Sequence, residues 1–231
     1  MATCQDLCSD SGQGETLGRF WAYALGLRFV PDDGAGVLRG DTPEQTVWMN
    51  VLPEARTVKH RVHLDLRAGS IEELVEHGAL LLQAAEDYHR PRSVLTDPDG
   101  GDFWVFLRVD LPDCRLYELV IDAPAPRPIA ARWADMFGAS LDGDEGKGWW
   151  RLRDIPGFPG ESWTFVPVPV PVPEPKTVKY RVQWDVRVES EDVLGEMTSF
   201  GAKVLRPRDD EIGRHVMADP EGNEFCVFVA A

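Results

Sequence analysis

The stretch VLTDPDGGDFWVFL, Val94 to Leu107, returns as VMADPEGNEFCVFV, Val216 to Val229. In each copy a short apolar run enters an Asp-Pro-acid-Gly turn and leaves as an alternating strand. Pro second and Gly fourth suit a type I turn, and the alternation after it marks a strand with one face toward a core. Trp104 and Phe106 share one face of the closing strand, as do Cys226 and Phe228 in the second copy.

The repeat extends outward in both directions. TVKHRVHLDLR (57–67) returns as TVKYRVQWDVR (177–187), and GRFWAYALG (18–26) corresponds to AARWADMFG (130–138) through Trp21/Trp133 and Gly26/Gly138. The order is kept and the spacing drifts only through short insertions, which is the signature of a tandem duplication. DLPDC, Asp110 to Cys114, is a polar, proline-containing break between the copies. Two domains are therefore expected, 1–110 and 114–231.

Within each copy the periods alternate between strand and helix. Glu15–Leu25 places Leu17, Phe20, Trp21, Ala24 and Leu25 on one helical stripe that ends at Gly26. HRVHLDLRA is a strand, and SIEE from Ser70 has the form of a capping box that opens a short helix ending near Gly78. GALLL, SVLT and DFWVFL read as strands. The second copy follows with helices over Arg127–Phe137 and Ser190–Phe200 and strands over Val182–Val188 and EFCVFV. VPVPVPVPEP, Val166 to Pro175, cannot be a central strand, because alternate prolines remove the donors. Polyproline II or an edge loop fits it, serving as a rigid connection, a lid or a docking strip.

Composition bounds the function. The 231 residues carry a formal net charge of −15, so a phosphate backbone is repelled and nucleic acid is excluded as a partner. No apolar run approaches the ~20 residues of a membrane span. The start, MATCQDLCSD, has no apolar signal segment, and Cys4, Cys8, Cys114 and Cys226 form no C-x-x-C pair. A reduced, cytoplasmic protein is expected. A phosphate loop, a nucleophile elbow, zinc-finger spacing and a dinucleotide fingerprint are all missing from the sequence.

The DPEGNEF strand, the K-x-R-V-x-x-D strand and the FW…ALG helix together resemble the glyoxalase/bleomycin-resistance family of the vicinal oxygen chelate superfamily, in its glyoxalase-like branch. The resemblance covers both copies. It implies an α+β fold of tandem glyoxalase-like domains, each of two βαβββ modules whose curved mixed sheets form a cleft. Metal-dependent members chelate a divalent cation through His, Gln or Glu on the first and last strands of the modules; other members bind drugs without metal.

On that resemblance His63 and Gln183 occupy equivalent ligand positions. The closing-strand position, normally Glu, holds Trp104 in one copy and Cys226 in the other. The opening-strand position is assigned to Thr3 and Arg115, with Asn50 a weak fourth candidate. A cation needs at least three convergent donors, so the chelate is incomplete and no cofactor is expected, a divalent metal remaining an alternative. Strand parity sends Arg61, His63, Asp65 and Arg67 to one face, and Arg181, Gln183, Asp185 and Arg187 to the equivalent face. The candidate ligand-binding residues are Arg61, His63, Asp65, Trp104, Phe106, Arg181, Gln183, Asp185 and Cys226, with His63 also a candidate catalytic base. The repeated Arg/Asp pattern has a plainer reading as an ion pair across neighbouring strands.

Two functions stay open at this stage. One is a metal-free cleft that binds a small aromatic or amphipathic molecule, such as an antibiotic or secondary metabolite. The other is a lyase, isomerase or dioxygenase of the same superfamily, metal-dependent or using His63. A duplicated chain imitates a dimer, so a monomer is expected, with a homodimer as the alternative.

Overall fold

The computed structural model describes residues 1–33, 35–52, 60–87, 89, 91–168 and 179–230. The chain forms four βαβββ modules in succession. The first is β1 (Ala2–Ser11), α1 (Gly14–Leu25), β2 (Arg28–Asp32), β3 (Ala35–Arg39) and β4 (Thr46–Val51). The second is β5 (Val62–Ala68), α2 (Ile71–Glu76), β6 (Leu80–Gln83), β7 (Ser93–Thr96) and β8 (Asp102–Leu107). The third is β9 (Leu116–Ala123), α3 (Pro126–Phe137), β10 (Ser140–Asp144), β11 (Trp149–Arg153) and β12 (Ser162–Pro167). The fourth is β13 (Val182–Val188), α4 (Asp192–Ser199), β14 (Lys203–Arg206), β15 (His215–Ala218) and β16 (Glu224–Val229).

Each helix and strand expected from the periodicity forms close to its expected bounds. The stripe of α1 buries Leu17, Phe20, Trp21, Ala24 and Leu25. It stops at Gly26 with φ 72°, a left-handed turn that glycine adopts at no steric cost, while Leu27 N–H donates back to Ala22 O at 2.8 Å. Its twin α3 starts on Pro126 and stops at Gly138 with φ 65°. Ser70 caps α2 by accepting from Glu73 N–H at 3.3 Å. In the acid-Pro-acid-Gly turns, Asp97 Oδ1 accepts from the backbone of Asp99 and Gly101, and Asp219 Oδ1 does the same for Glu221 and Asn223. The other oxygen of each aspartate takes the indole N–H of the twin helix tryptophan, Trp21 at 3.2 Å and Trp133 at 3.4 Å. The repeat therefore fixes a helix-to-turn clamp as well as a strand pattern.

The strands assemble into two eight-stranded sheets, and here the structure departs from the expectation that each half forms its own clefts. One sheet runs β14-β15-β16-β13-β1-β4-β3-β2, joining the first and fourth modules; the other runs β10-β11-β12-β9-β5-β8-β7-β6, joining the second and third. The halves meet through antiparallel pairs, β1 with β13 and β5 with β9. The repeat 1–110 and 114–231 is real in sequence, but each sheet takes one module from each half. The physical reason is that equivalent modules present equivalent edge strands. β9 follows β8 after only the link 108–115, and β9 adds directly to β5.

The apolar faces of the two sheets and the helices share one core. Val62, Leu64 and Leu66 are buried, as are Trp184 and Val186. Trp163 on β12 and Trp184 on β13 lie 5.1 Å apart, ring to ring, across the boundary between the sheets, with Trp133, Phe137 and Phe225 packed around them. With the apolar faces joined back to back, the polar faces of β5 and β13 line two separate clefts. Among the described residues no helix is long and apolar enough to cross a membrane. Within the Val-Pro stretch, residues 169–175 lie outside the described residues; Val166 and Pro167 close β12.

Candidate functional site

The His63 cleft is built on β5, β8, β9, β11 and β12. His63 and Asp65 are two apart on one strand, so they share its polar face, and His63 Nδ1 meets Asp65 Oδ1 at 2.7 Å. The same oxygen accepts from Trp104 N–H at 3.0 Å, while Asp65 Oδ2 has no hydrogen-bond partner among the described residues. Burial raises the Asp65 pKa above the usual carboxylate value, with His63 opposing the rise. Opposite Asp65 across the strand pair stands Glu118. It receives the Thr164 hydroxyl at 3.0 Å and the Arg151 guanidinium at 3.0 Å, and its pKa is also raised by burial.

Two aromatic pairs stand on this side of the sheet. The Trp104 ring lies 5.1 Å from the His63 ring, and Phe106 packs edge-on against Tyr117 at 4.8 Å. Three arginines lie over rings: Arg92 over Trp104 at 3.6 Å, Arg67 over Tyr117 at 4.5 Å and Arg151 over Trp149 at 5.2 Å. Arg67 also pairs with Glu161.

The Asp185 cleft is built on β1, β4, β13 and β16 and encloses about 490 Å³. Asp185 Oδ2 accepts the Cys8 thiol at 3.5 Å, and the Cys226 thiol also bonds to the carboxylate. Burial pushes the Asp185 pKa up to about 6; the two thiols and Arg214 oppose the rise, and Asp6 adds to it. Gln183 donates to Asp10 Oδ2 at 2.9 Å, as does Lys179 at 2.7 Å, and Asn50 donates to Asp10 Oδ1 at 3.0 Å. Burial raises the Cys8 thiol well above its ordinary value and the Cys226 thiol to about 11, so both are protonated at neutral pH despite the nearby Arg214.

His63, Asp65, Trp104 and Phe106 are thus brought together in one cleft, and Gln183, Asp185 and Cys226 in the other. The two arginines sit elsewhere. Arg181 lines a narrow crevice between the sheets, with Ser9, Asp10, His60 and the flank of His63. Arg61 is buried just ahead of β5, where its carbonyl accepts from Asp122 N–H and its charge reaches the Tyr180 phenol. Each arginine precedes its strand, where the regular alternation has not begun. Asp65 takes His63 rather than a recurring arginine, and Asp185 takes two thiols. The opening-strand assignment also shifts. β1 is ten residues long and its register sets Cys8, not Thr3, opposite Gln183; in β9 it is Val120, not Arg115, that faces His63.

Sequence reasoning missed Asp6, Cys8 and Asp10 on β1 and Glu118 on β9. Their signal is the same period of two, in CQDLCSD and LYELVID, where Asp6 and Asp10 recur as Glu118 and Asp122. Two of the other histidines have structural partners: His77 caps α2 and stacks on Tyr23, and His215 pairs with Glu191.

The superfamily's chelating positions can now be compared with the residues in place. In the His63 cleft, Val120, Thr164 and Trp104 surround one histidine. In the other, two protonated thiols are committed to Asp185. Among the described residues no three His, Cys, Asp or Glu side chains are grouped to hold a metal. These residues do not fit the family's chelate.

Paired βαβββ modules, back-to-back sheets and polar clefts define a protein of the vicinal oxygen chelate superfamily. The profile of the glyoxalase-like domain family matches residues 6–106 and 118–228, and the chain belongs to that family as a tandem repeat. Among solved structures it is similar to glyoxalase I from Zea mays, with 12% identity, a TM-score of 0.66 and coverage of 99% of this chain and 92% of that one. A putative dioxygenase from Bacillus subtilis subsp. subtilis str. 168 aligns at 15% identity with a TM-score of 0.61, covering 97% and 84%. The cppA protein from Streptococcus pneumoniae TIGR4 aligns at 11% identity with a TM-score of 0.50, covering 99% of each chain. At these identities the likeness is one of fold. No curated protein matches the sequence.

Proposed function

We propose that the chain binds a small planar aromatic molecule bearing a polar or anionic substituent in the His63 cleft, without a chelated metal. The observation that carries this reading is Trp104. It stands where the superfamily places a chelating carboxylate, with the Arg92 guanidinium 3.6 Å over its ring and the His63 ring 5.1 Å away. A carboxylate there would hold a cation; an indole holds a flat ring by stacking and apolar burial. Arg92 supplies donors for the substituent, while Arg67 and Arg151 are held by Glu161 and Glu118. Both clefts are complete within one chain, which supports a working monomer, and the fold supports a role apart from membranes and nucleic acid. Calorimetric titration with 2-naphthoate tests the reading: saturable binding is expected, weakened at least tenfold by Trp104→Ala, in protein whose metal content by elemental analysis is below one equivalent.

A second reading rests on the contact between His63 and Asp65 at 2.7 Å. A histidine held at Nδ1 by a carboxylate has its tautomer and orientation fixed, and Nε2 is then the nitrogen that exchanges a proton with a bound substrate. The enzyme would be a lyase or isomerase that uses His63 as base. Turnover unchanged in His63→Ala would remove this reading and leave binding intact.

A further inference from the structure

The Asp185 cleft has a charge deficit that its own residues do not fill. Its floor carboxylate is only 5% exposed. Oδ2 accepts from the Cys8 thiol and the carboxylate also bonds to the Cys226 thiol, both weak donors. Oδ1 has no hydrogen-bond partner among the described residues. A buried carboxylate oxygen in that state is costly unless something pairs with the group, and Asp185 lines a cavity of about 490 Å³ that has room for a small organic molecule.

The charged groups around it explain why the deficit falls there. Asp6 and Asp10 come from β1, Glu224 from β16, Lys179 from just before β13, and Arg214 from just before β15. Lys179 is committed to Asp10 at 2.7 Å. Asp6 takes hydrogen bonds from Gln5 at 3.2 Å and from Trp48, and it lies in the field of Arg39 and Arg187, which are outside the cavity lining. Arg214 acts on Asp185 through space and on the Cys226 thiol, and donates to Ile212 O at 3.2 Å. Among the residues lining the cavity the carboxylates outnumber the cations, and the fully buried one without a cation in hydrogen-bond contact is Asp185. Trp48 and Phe228 add apolar surface to the cavity wall.

We propose that the Asp185 cleft is a binding site for a small protonated amine carrying an aromatic or apolar group. The ammonium N–H donates to the Asp185 carboxylate, and the apolar group lies against Phe228 and Trp48. The site is separate from the His63 cleft and does not depend on the function assigned there.

The probes are benzylamine and its neutral counterpart benzyl alcohol, titrated into the full chain by calorimetry and by amide chemical-shift mapping. Saturable benzylamine binding is expected, at least tenfold tighter than that of benzyl alcohol, with shifts on β1, β13 and β16. Asp185→Asn is expected to abolish the preference for the amine. Equal binding of amine and alcohol to the wild type, no benzylamine binding, shifts confined to the Trp104 side, or a preference retained in Asp185→Asn would each overturn the proposal. The wild-type comparison decides the matter even if the variant does not fold. Failure here leaves the naphthoate result untouched, and the reverse also holds.

Discussion

The two clefts are built from the same module, yet one places an aspartate beside a histidine and the other places its twin between two thiols. Asp65 has an ionisable partner on its own strand; Asp185 has donors that stay protonated. Around the first, aromatic rings and stacked arginines gather; around the second, carboxylates exceed cations. The duplication preserved the strand geometry and the aspartate while the neighbours diverged. A scaffold held by its back-to-back core leaves the outward face free to vary, which is why the same position carries different chemistry in each copy.

The comparison can be broken most sharply at Asp185. Its folded-state pKa of about 6 lies above the ordinary 3.8, so the native state binds the proton more tightly than the unfolded chain does. Its contribution to stability is fully present below the ordinary value and is lost as pH rises through about 6. Asp185→Asn removes that loss. Denaturant melts should show the variant stabilised at pH 8, by at most about 3 kcal/mol, and little changed at pH 4. A variant less stable than the wild type at pH 8 would mean that Asp185 has an ionic partner.

His63→Ala should act in the opposite sense, because it strips the first aspartate of its partner. A loss of about 2 kcal/mol is expected at pH 7, read from the same melts. If the two variants move stability in the same direction, the clefts are alike and the contrast fails. Next in size is Trp104→Ala, expected to weaken naphthoate binding tenfold or more, equivalent to about 1.4 kcal/mol, without changing benzylamine affinity. Last comes a feature the copies share. Trp21→Phe and Trp133→Phe each delete one hydrogen bond to a turn aspartate, and each should cost about 1 kcal/mol in thermal or denaturant unfolding. A large difference between these two would show that the copies have diverged in their scaffold as well as in their clefts.

Much of the scaffold was legible in the sequence, because helices and strands follow local periodicity. The stripe from Leu17 to Leu25, the Ser70 cap and the alternation of β5 and β13 all depend on neighbours a few residues away. The exchange of modules between sheets was not legible. Pairing β5 with β9 or with a strand of its own half would bury the same face of either strand. The cleft residues were half legible for the same reason. Parity placed His63, Asp65, Trp104, Gln183, Asp185 and Cys226, but Arg61 and Arg181 lie before their strands begin, where parity has no force. Cys8 and Glu118 carry the local period of two, but the residues they face depend on the register between β1 and β13 and between β5 and β9, a long-range property.

One fold holds two clefts of unlike chemistry, and amide chemical-shift mapping with both probes on one sample is the decisive test. Naphthoate should shift resonances around His63, Trp104 and Glu118, benzylamine those around Cys8, Asp185 and Cys226, and saturation by one should leave the titration of the other unchanged. Competition between the probes, or both sets of shifts falling in the same cleft, would contradict it.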